Sequence, residues 1–245
     1  SFYDVAWPYL KVNKIPFILF VSTEAIGKAG YMSWEQIIEL EKNVNVYIGN
    51  HSDSHDYLVD LDIEDFQKDI EKAKKIFFNK IGYNPIFFSY PFGEYSQYIK
   101  EYISQNFEFS FGQHSGVIDI NKDKYELPRF PINEKYGDLK RFKFLINLQP
   151  LEYKSLIPED KYIVQQKNPP SFSVEFFNEQ KNINNINCFS DEGSDWHQSD
   201  TQIDGKKLII KFREKFIFRR GRVNCSMNDN GVWRWLGTQF SIEQN

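Results

Sequence analysis

Two of the four histidines in this sequence, His51 and His55, stand four residues apart in the run Val44 to His55, VNVYIGNHSDSH. Neutral imidazole is the commonest protein ligand for zinc and similar divalent ions, and a catalytic metal site needs about three protein ligands with one position open to water. His51 and His55 can supply two of them. A helical turn over Ser52 to His55 would bring both rings to one side, where they can share an ion. Ser52, Asp53, Ser54 and Asp56 offer acceptors able to orient the ring N–H groups. The same four-residue spacing also fits two solvated loop histidines, and the pattern alone leaves both readings open.

The element that must carry these histidines is a strand. Val44, Val46 and Ile48 alternate with Asn45, Tyr47 and Gly49, and Gly49-Asn50 ends the pairing. His51 and His55 therefore follow a strand's C-terminal end. In an α/β barrel that edge gathers the catalytic groups, because loops converge there over strands that hold them rigidly.

The rest of the chain sets limits on function. With 245 residues, 41% hydrophobic and 26% charged, it is long enough for one large core or two smaller ones. A net charge of −4 offers no basic stripe to displace counterions, so no nucleic-acid partner is expected. The basic cluster Arg219, Arg220 and Arg222 is local and reads as one face of a strand or turn. No apolar run approaches the roughly 20 residues of a membrane-spanning helix. The chain opens in mid-pattern: Val5, Ala6, Tyr9 and Leu10 look like a helix already under way, and no signal peptide is visible. Cys188 and Cys225 lack the CxxC partners of a cysteine zinc site and are too few for a disulfide framework.

In chain order, Pro16 to Val21 (PFILFV) reads as a strand covered on both faces. Ser33 caps a helix with Trp34, Ile37, Ile38 and Leu40 on its buried stripe. After the histidine strand, Asp62 starts a helix in which Ile63, Phe66, Ile70, Ala73 and Phe77 form an apolar seam, ended by Gly82 and Pro85. Ile86-Phe87-Phe88 and Phe107 to Phe111 are further strands, with a helix through Ile99, Tyr102 and Ile103 between them, and Leu139 to Leu148 is a last helix. Repeated strand–helix units predict parallel strands in an open α/β sheet or a barrel. Near Gln149-Pro150 the pattern changes. The expected division is a (β/α) part over 1–150, a linker over 151–170, and a small all-β, sandwich-like domain over 171–245, with strands at Ser171 to Phe177, Lys207 to Phe212, Lys215 to Val223 and Gly231 to Ile242.

Gly49-Asn50-His51-Ser52-x-Ser54-His55, followed by Phe88-Ser89-Tyr90-Pro91-Phe92-Gly93-x-Tyr95, resembles the NodB-homology polysaccharide deacetylases, carbohydrate esterase family 4. The resemblance runs from the first residue to about Leu148. It implies a distorted (β/α) barrel, a divalent metal with zinc expected first, and hydrolysis of N-acetyl groups on the amino sugars of a glycan. Such proteins open with a strand ending in an Asp-Asp pair that supplies the third ligand and the base. This chain is read as starting just after that strand, with Asp4 in the helix that follows, so the 245 residues alone are expected to be inactive. Ser89 stands where many members carry an arginine; members acting on poly-N-acetylglucosamine are similar in lacking it, and Arg129 is the candidate to compensate. The family's Leu-x-His, which supplies the general acid, is not apparent.

On this resemblance, His51 and His55 hold the metal, a backbone N–H near Phe92 steadies the oxyanion, and Pro91-Phe92-Gly93 fixes that loop. His114 is the candidate acid for the departing amine; the other reading is a loop histidine bonded to Ser115. Tyr90, Phe92 and Tyr95 are candidates for a sugar-stacking wall or else core. Trp196, Trp233 and Trp235 suggest a sugar platform, although burial in a sandwich core is the expected outcome. An extracytoplasmic or cell-envelope location follows from the resemblance, and export would pair Cys188 with Cys225; otherwise they are two buried thiols. Two alternatives to a glycan N-deacetylase stay open: a carbohydrate-binding or scaffold protein on a degenerate barrel, and an amide hydrolase with a small non-sugar substrate.

Overall fold

The computed structural model describes residues 2–193 and 195–244. They divide into two compact units. The first takes the described residues up to Pro91 together with Tyr102–Phe111, and the second takes Phe92–Glu101 and the described residues from Gly112 onward.

In the first unit, α1 (Trp7–Val12) precedes β1 (Phe17–Val21), and α2 (Trp34–Glu41) leads to β2 (Val46–Asn50). Next come α3 (Ile63–Ile81), β3 (Phe87–Ser89), α4 (Gln97–Asn106, whose first half belongs to the second unit) and β4 (Phe109–Phe111). The strands are all parallel and lie in sequence order β1-β2-β3-β4. α2 and α3 have a local reason to start where they do. Ser33 accepts from the Gln36 N–H while Gln36 Oε1 accepts from the Ser33 N–H, a reciprocal cap. Asp62 accepts from the Asp65 N–H, and Gly82, left-handed at φ 85°, ends α3. The apolar seam of α3 is buried through Phe66, Ile70, Ala73 and Phe77. Phe77 joins Trp7, Val21, Ile37, Leu40, Val46 and Ile48 in one core. A distorted (β/α) barrel was expected; the described strands make a four-stranded sheet with β1 and β4 at its edges. Among the described residues no helix is long and apolar enough to cross a membrane.

The second unit contains α5 (Leu139–Leu145) and two sheets. The strands of the larger are β5 (Gln149–Pro150), β7 (Tyr162–Ile163), β9 (Asn187–Ser190), β10 (His197–Gln198), β13 (Arg220–Asp229) and β14 (Val232–Ile242). Those of the smaller are β6 (Ser155–Ile157), β8 (Phe172–Glu175), β11 (Asp200–Asp204) and β12 (Lys207–Lys211). The stretch read as a linker, 151–170, carries β6, paired with β8, and β7, paired with β14. Phe172, Val174, Leu208 and Ile210 from the smaller sheet share one core with Val223, Leu236 and Phe240 from the larger, the arrangement of a sandwich. Cys188 and Cys225 face each other across β9 and β13 and are joined as a disulfide. The tryptophan expectation is corrected in part: Trp196 is 45% and Trp233 40% exposed, outside the core. Trp233 sits next to the β13–β14 hairpin turn with its ring edge-on to Phe144 of α5, centroids 6.0 Å apart.

Candidate active site

β2 delivers His51 and His55 on a loop that side chains fasten at every step. Asn50 Oδ1 accepts from the Ser52 N–H at 2.8 Å, and Ser52 Oγ from the His55 N–H at 2.9 Å. Asp69 of α3 accepts from the N–H groups of Asp53 and Ser54 at 2.8 and 3.0 Å, and Ser22 Oγ donates to the His51 carbonyl at 2.9 Å. These bonds hold Ser52 and His55 in the left-handed region, at φ 66° and 59°. That conformation costs a non-glycine residue about 1–3 kcal/mol and persists only where its surroundings impose it. The helical turn expected over Ser52 to His55 is therefore not formed. The rings nevertheless meet, with centroids 4.7 Å apart and planes at 78°.

The group that orients His51 is not one of the expected acceptors. Its Nδ1 lies 2.6 Å from the main-chain carbonyl oxygen of Ser89, at the end of β3. A carbonyl only accepts, so Nδ1 carries the proton and Nε2 keeps its lone pair. Burial pushes the His51 pKa down to about 4, against the pull of the Ser89 carbonyl and with His55 adding to the shift. The imidazole is thus neutral at pH 7, as a metal ligand must be. Asp53 is engaged elsewhere: it is buried, accepts from Thr23 Oγ1 at 2.5 Å and pairs with Lys72 at 2.6 Å. Ser54 Oγ serves the Asp56 N–H. Both histidines line a cavity of about 550 Å³ with Ser22, Glu24 and Ser54 at its polar side and Phe20 and Met32 at its apolar side. Two imidazoles fit the donor set of a divalent ion; among the described residues no cluster of three His, Cys, Asp or Glu is placed to complete it.

The contact of the Ser89 carbonyl with His51 is one that sequence reasoning missed. It is made by the backbone, which leaves no mark in residue type. The neighbouring Tyr90 corrects the stacking-wall expectation. Tyr90 is fully buried, with its hydroxyl accepting from Ser110 Oγ at 2.9 Å, so it is core.

The remaining candidates, Phe92, Gly93, Tyr95, His114 and Arg129, belong to the second unit. Phe92 and Gly93 are consecutively left-handed, at φ 58° and 70°. A Cβ on Gly93 would stand 2.5 Å from the Gln113 nitrogen, so only glycine fits. Gln239 Nε2 of β14 donates to the carbonyls of Phe92 and Gly93, each at 3.1 Å, and Glu94 takes Arg219 at 3.0 Å. Tyr95 is 3% exposed with its hydroxyl on Glu126 at 3.1 Å, a second correction to the stacking wall; Phe92 alone of the three keeps part of its ring in solvent. The His114 carbonyl accepts from the Arg129 N–H at 3.0 Å. Burial pushes the His114 pKa down to about 4, opposed by Glu126 and reinforced by Lys161 and Arg129. Ser115, the partner expected for His114, gives its carbonyl to Trp235 Nε1 at 3.1 Å. Arg129 is exposed and its Nη2 donates to Gln113 Oε1 at 3.1 Å.

Parallel strand–helix units with two imidazoles at the end of the second strand define the class: a mixed α/β fold of the deacetylase type. Residues 1–108 match the polysaccharide deacetylase family model. The structure of Streptococcus pyogenes deacetylase PplD in complex with acetate is 20% identical with a TM-score of 0.55, over 61% of this chain and 66% of that one. The putative polysaccharide deacetylase BA0330 from Bacillus anthracis is 15% identical with a TM-score of 0.53, over 58% of this chain and 46% of its own. IcaB from Ammonifex degensii is 24% identical with a TM-score of 0.48, over 55% and 64% of the two chains. The chain thus spans less than two thirds of each of these proteins. Among curated proteins none matches the sequence.

Proposed function

We propose that this protein is a metal-dependent N-deacetylase that removes acetyl groups from the amino sugars of a glycan. The observation that carries the reading is the His51 Nδ1–Ser89 carbonyl bond, because it leaves the lone pair of a neutral Nε2 available beside His55 at a cavity wall. His51 and His55 would hold the ion, with zinc expected for an imidazole donor set. A bound divalent ion supplies Lewis acidity, which brings the pKa of a water molecule from about 15.7 toward about 7. The resemblance implies an Asp pair as third ligand and base, and among the described residues no third His, Cys, Asp or Glu stands with the two histidines. Ser89 fixes the ring of His51, and the strained Ser52–His55 loop holds both imidazoles without reorganisation. Phe92 and Gly93 keep the oxyanion-loop role that the resemblance gives them, while Arg129, exposed and bonded to Gln113 Oε1, is assigned no part in it. His114, neutral at pH 7 with a pKa of about 4, has no ready proton to give and is assigned to packing. The Cys188–Cys225 bond supports an oxidising, extracytoplasmic location.

A carbohydrate-binding protein on a degenerate deacetylase fold is the second reading, favoured by the lack of a three-ligand cluster among the described residues. Acetate release from N-acetylglucosamine oligomers separates the two. The protein is expected to release acetate, and its His51→Ala variant is expected not to. Equal release by His51→Ala would overturn the reading.

A further inference from the structure

The arginine cluster that the sequence presents as one face of a strand lines a cavity of about 540 Å³ in the second unit, together with Arg129. From the geometry we infer that this cavity is a binding site for an acidic saccharide, a sugar residue carrying a carboxylate or phosphate.

Four guanidinium groups, Arg129, Arg219, Arg220 and Arg222, reach its wall, and among the described residues no Asp or Glu lines it. The carboxylates that hold the cluster stand behind it: Glu94, 1% exposed, takes Arg219 at 3.0 Å, and Asp191, 6% exposed, takes Arg222 at 2.6 Å. Arg220 reaches the same Glu94 only at 3.7 Å, and Arg129 bonds to the Gln113 amide oxygen. Arg129 and Arg220 therefore keep donor capacity for an incoming anion. Planar guanidinium forks suit carboxylate and phosphate oxygens, and the bonds are charge-assisted.

The rest of the wall suits a pyranose. Trp196, Phe218 and Tyr136 are 45%, 56% and 39% exposed, large flat surfaces that a soluble protein normally covers. The Arg222 guanidinium lies 5.3 Å from the Trp196 ring centre and so fixes that indole at the rim. Gln113, Asn224 and Gln239 add amides, which both donate to and accept from hydroxyls. The volume is that of a small-ligand cavity, and the guanidinium cluster is a local one on a chain of net charge −4, which favours a saccharide over a nucleic-acid strand.

The cavity shares no lining residue with the one that holds the histidine pair, and its test needs no turnover, so it stands or falls apart from deacetylation. Binding to the full chain is measured by calorimetry for trigalacturonate, N-acetylglucosamine 1-phosphate, neutral tri-N-acetylglucosamine, inorganic phosphate and a short single-stranded DNA. The two acidic saccharides are expected to bind roughly tenfold or more tightly than the neutral trimer and than phosphate, weakening as salt rises. Arg220→Gln and Trp196→Ala, each checked for an unchanged circular dichroism spectrum, are expected to weaken both acidic saccharides roughly tenfold. Equal binding of the neutral trimer, equal binding of bare phosphate, tighter binding of the DNA, or unchanged affinity in both variants would each overturn the inference.

Discussion

The carbonyl oxygen of Ser89 lies 2.6 Å from Nδ1 of His51, so the main chain at the end of β3 selects the tautomer of an imidazole at the end of β2. A ring fixed by a backbone atom cannot be freed by changing one side chain, which makes the arrangement robust to substitution. The expected observable is spectroscopic. In long-range ¹⁵N–¹H correlation spectra at pH 7, His51 should show a protonated Nδ1 and a bare Nε2. A ring protonated on Nε2 would remove the reason for reading it as a ligand.

The loop after Pro91 depends on the second unit. Gly93→Ala places a methyl group against the Gln113 backbone at a left-handed φ, and is expected to destabilise by about 1–3 kcal/mol. Gln239→Leu removes two donated bonds to the Phe92 and Gly93 carbonyls and is expected to cost about 1–3 kcal/mol. Denaturant unfolding of both variants checks this; a stability equal to wild type in either would mean that the loop is not held by these contacts.

Much of this was legible in the sequence, for identifiable reasons. The strand through Val46 and Ile48 and the helix from Asp62 to Gly82 announce themselves through periodicity and a capping side chain. The histidine pair was legible because residue type and spacing both point to it. Three things were not. β11, DTQID, is exposed along its whole length and carries no alternating apolar face, so nothing distinguishes it from a polar turn. Tyr90 and Tyr95 follow a strand as substrate-facing aromatics would, but burial is a tertiary outcome. A main-chain carbonyl is present at every residue, and that of Ser89 meets His51 only through the pairing of β2 and β3.

Acid stability should register His114. Its pKa in the folded protein, about 4, lies below the ordinary value of 6.5, so between those limits the unfolded chain binds a proton that the folded one does not. Stability then falls as pH drops from 6.5 toward 4, by at most about 1.4 kcal/mol per pH unit from this group. In urea unfolding at pH 7, 6 and 5, His114→Gln should lose less stability on acidification than wild type. Identical slopes would mean that His114 titrates normally.

The Cys188–Cys225 bond closes a loop of 37 residues between adjacent strands. In the chain-entropy description such a closure stabilises by about 4 kcal/mol. Thermal unfolding with and without reductant should show a large drop in midpoint on reduction. Two free thiols in unreduced protein from its native compartment would contradict the bond.

The central claim is that His51 and His55 together hold a divalent ion, and calorimetric titration of Zn²⁺ into the 245-residue chain tests it most directly. With two imidazoles and no three-ligand cluster among the described residues, one ion per chain is expected to bind weakly. His51→Ala and His55→Ala should each weaken that binding by roughly tenfold or more, with Cys188–Cys225 intact in both. Zinc binding that survives unchanged in both variants would contradict the account.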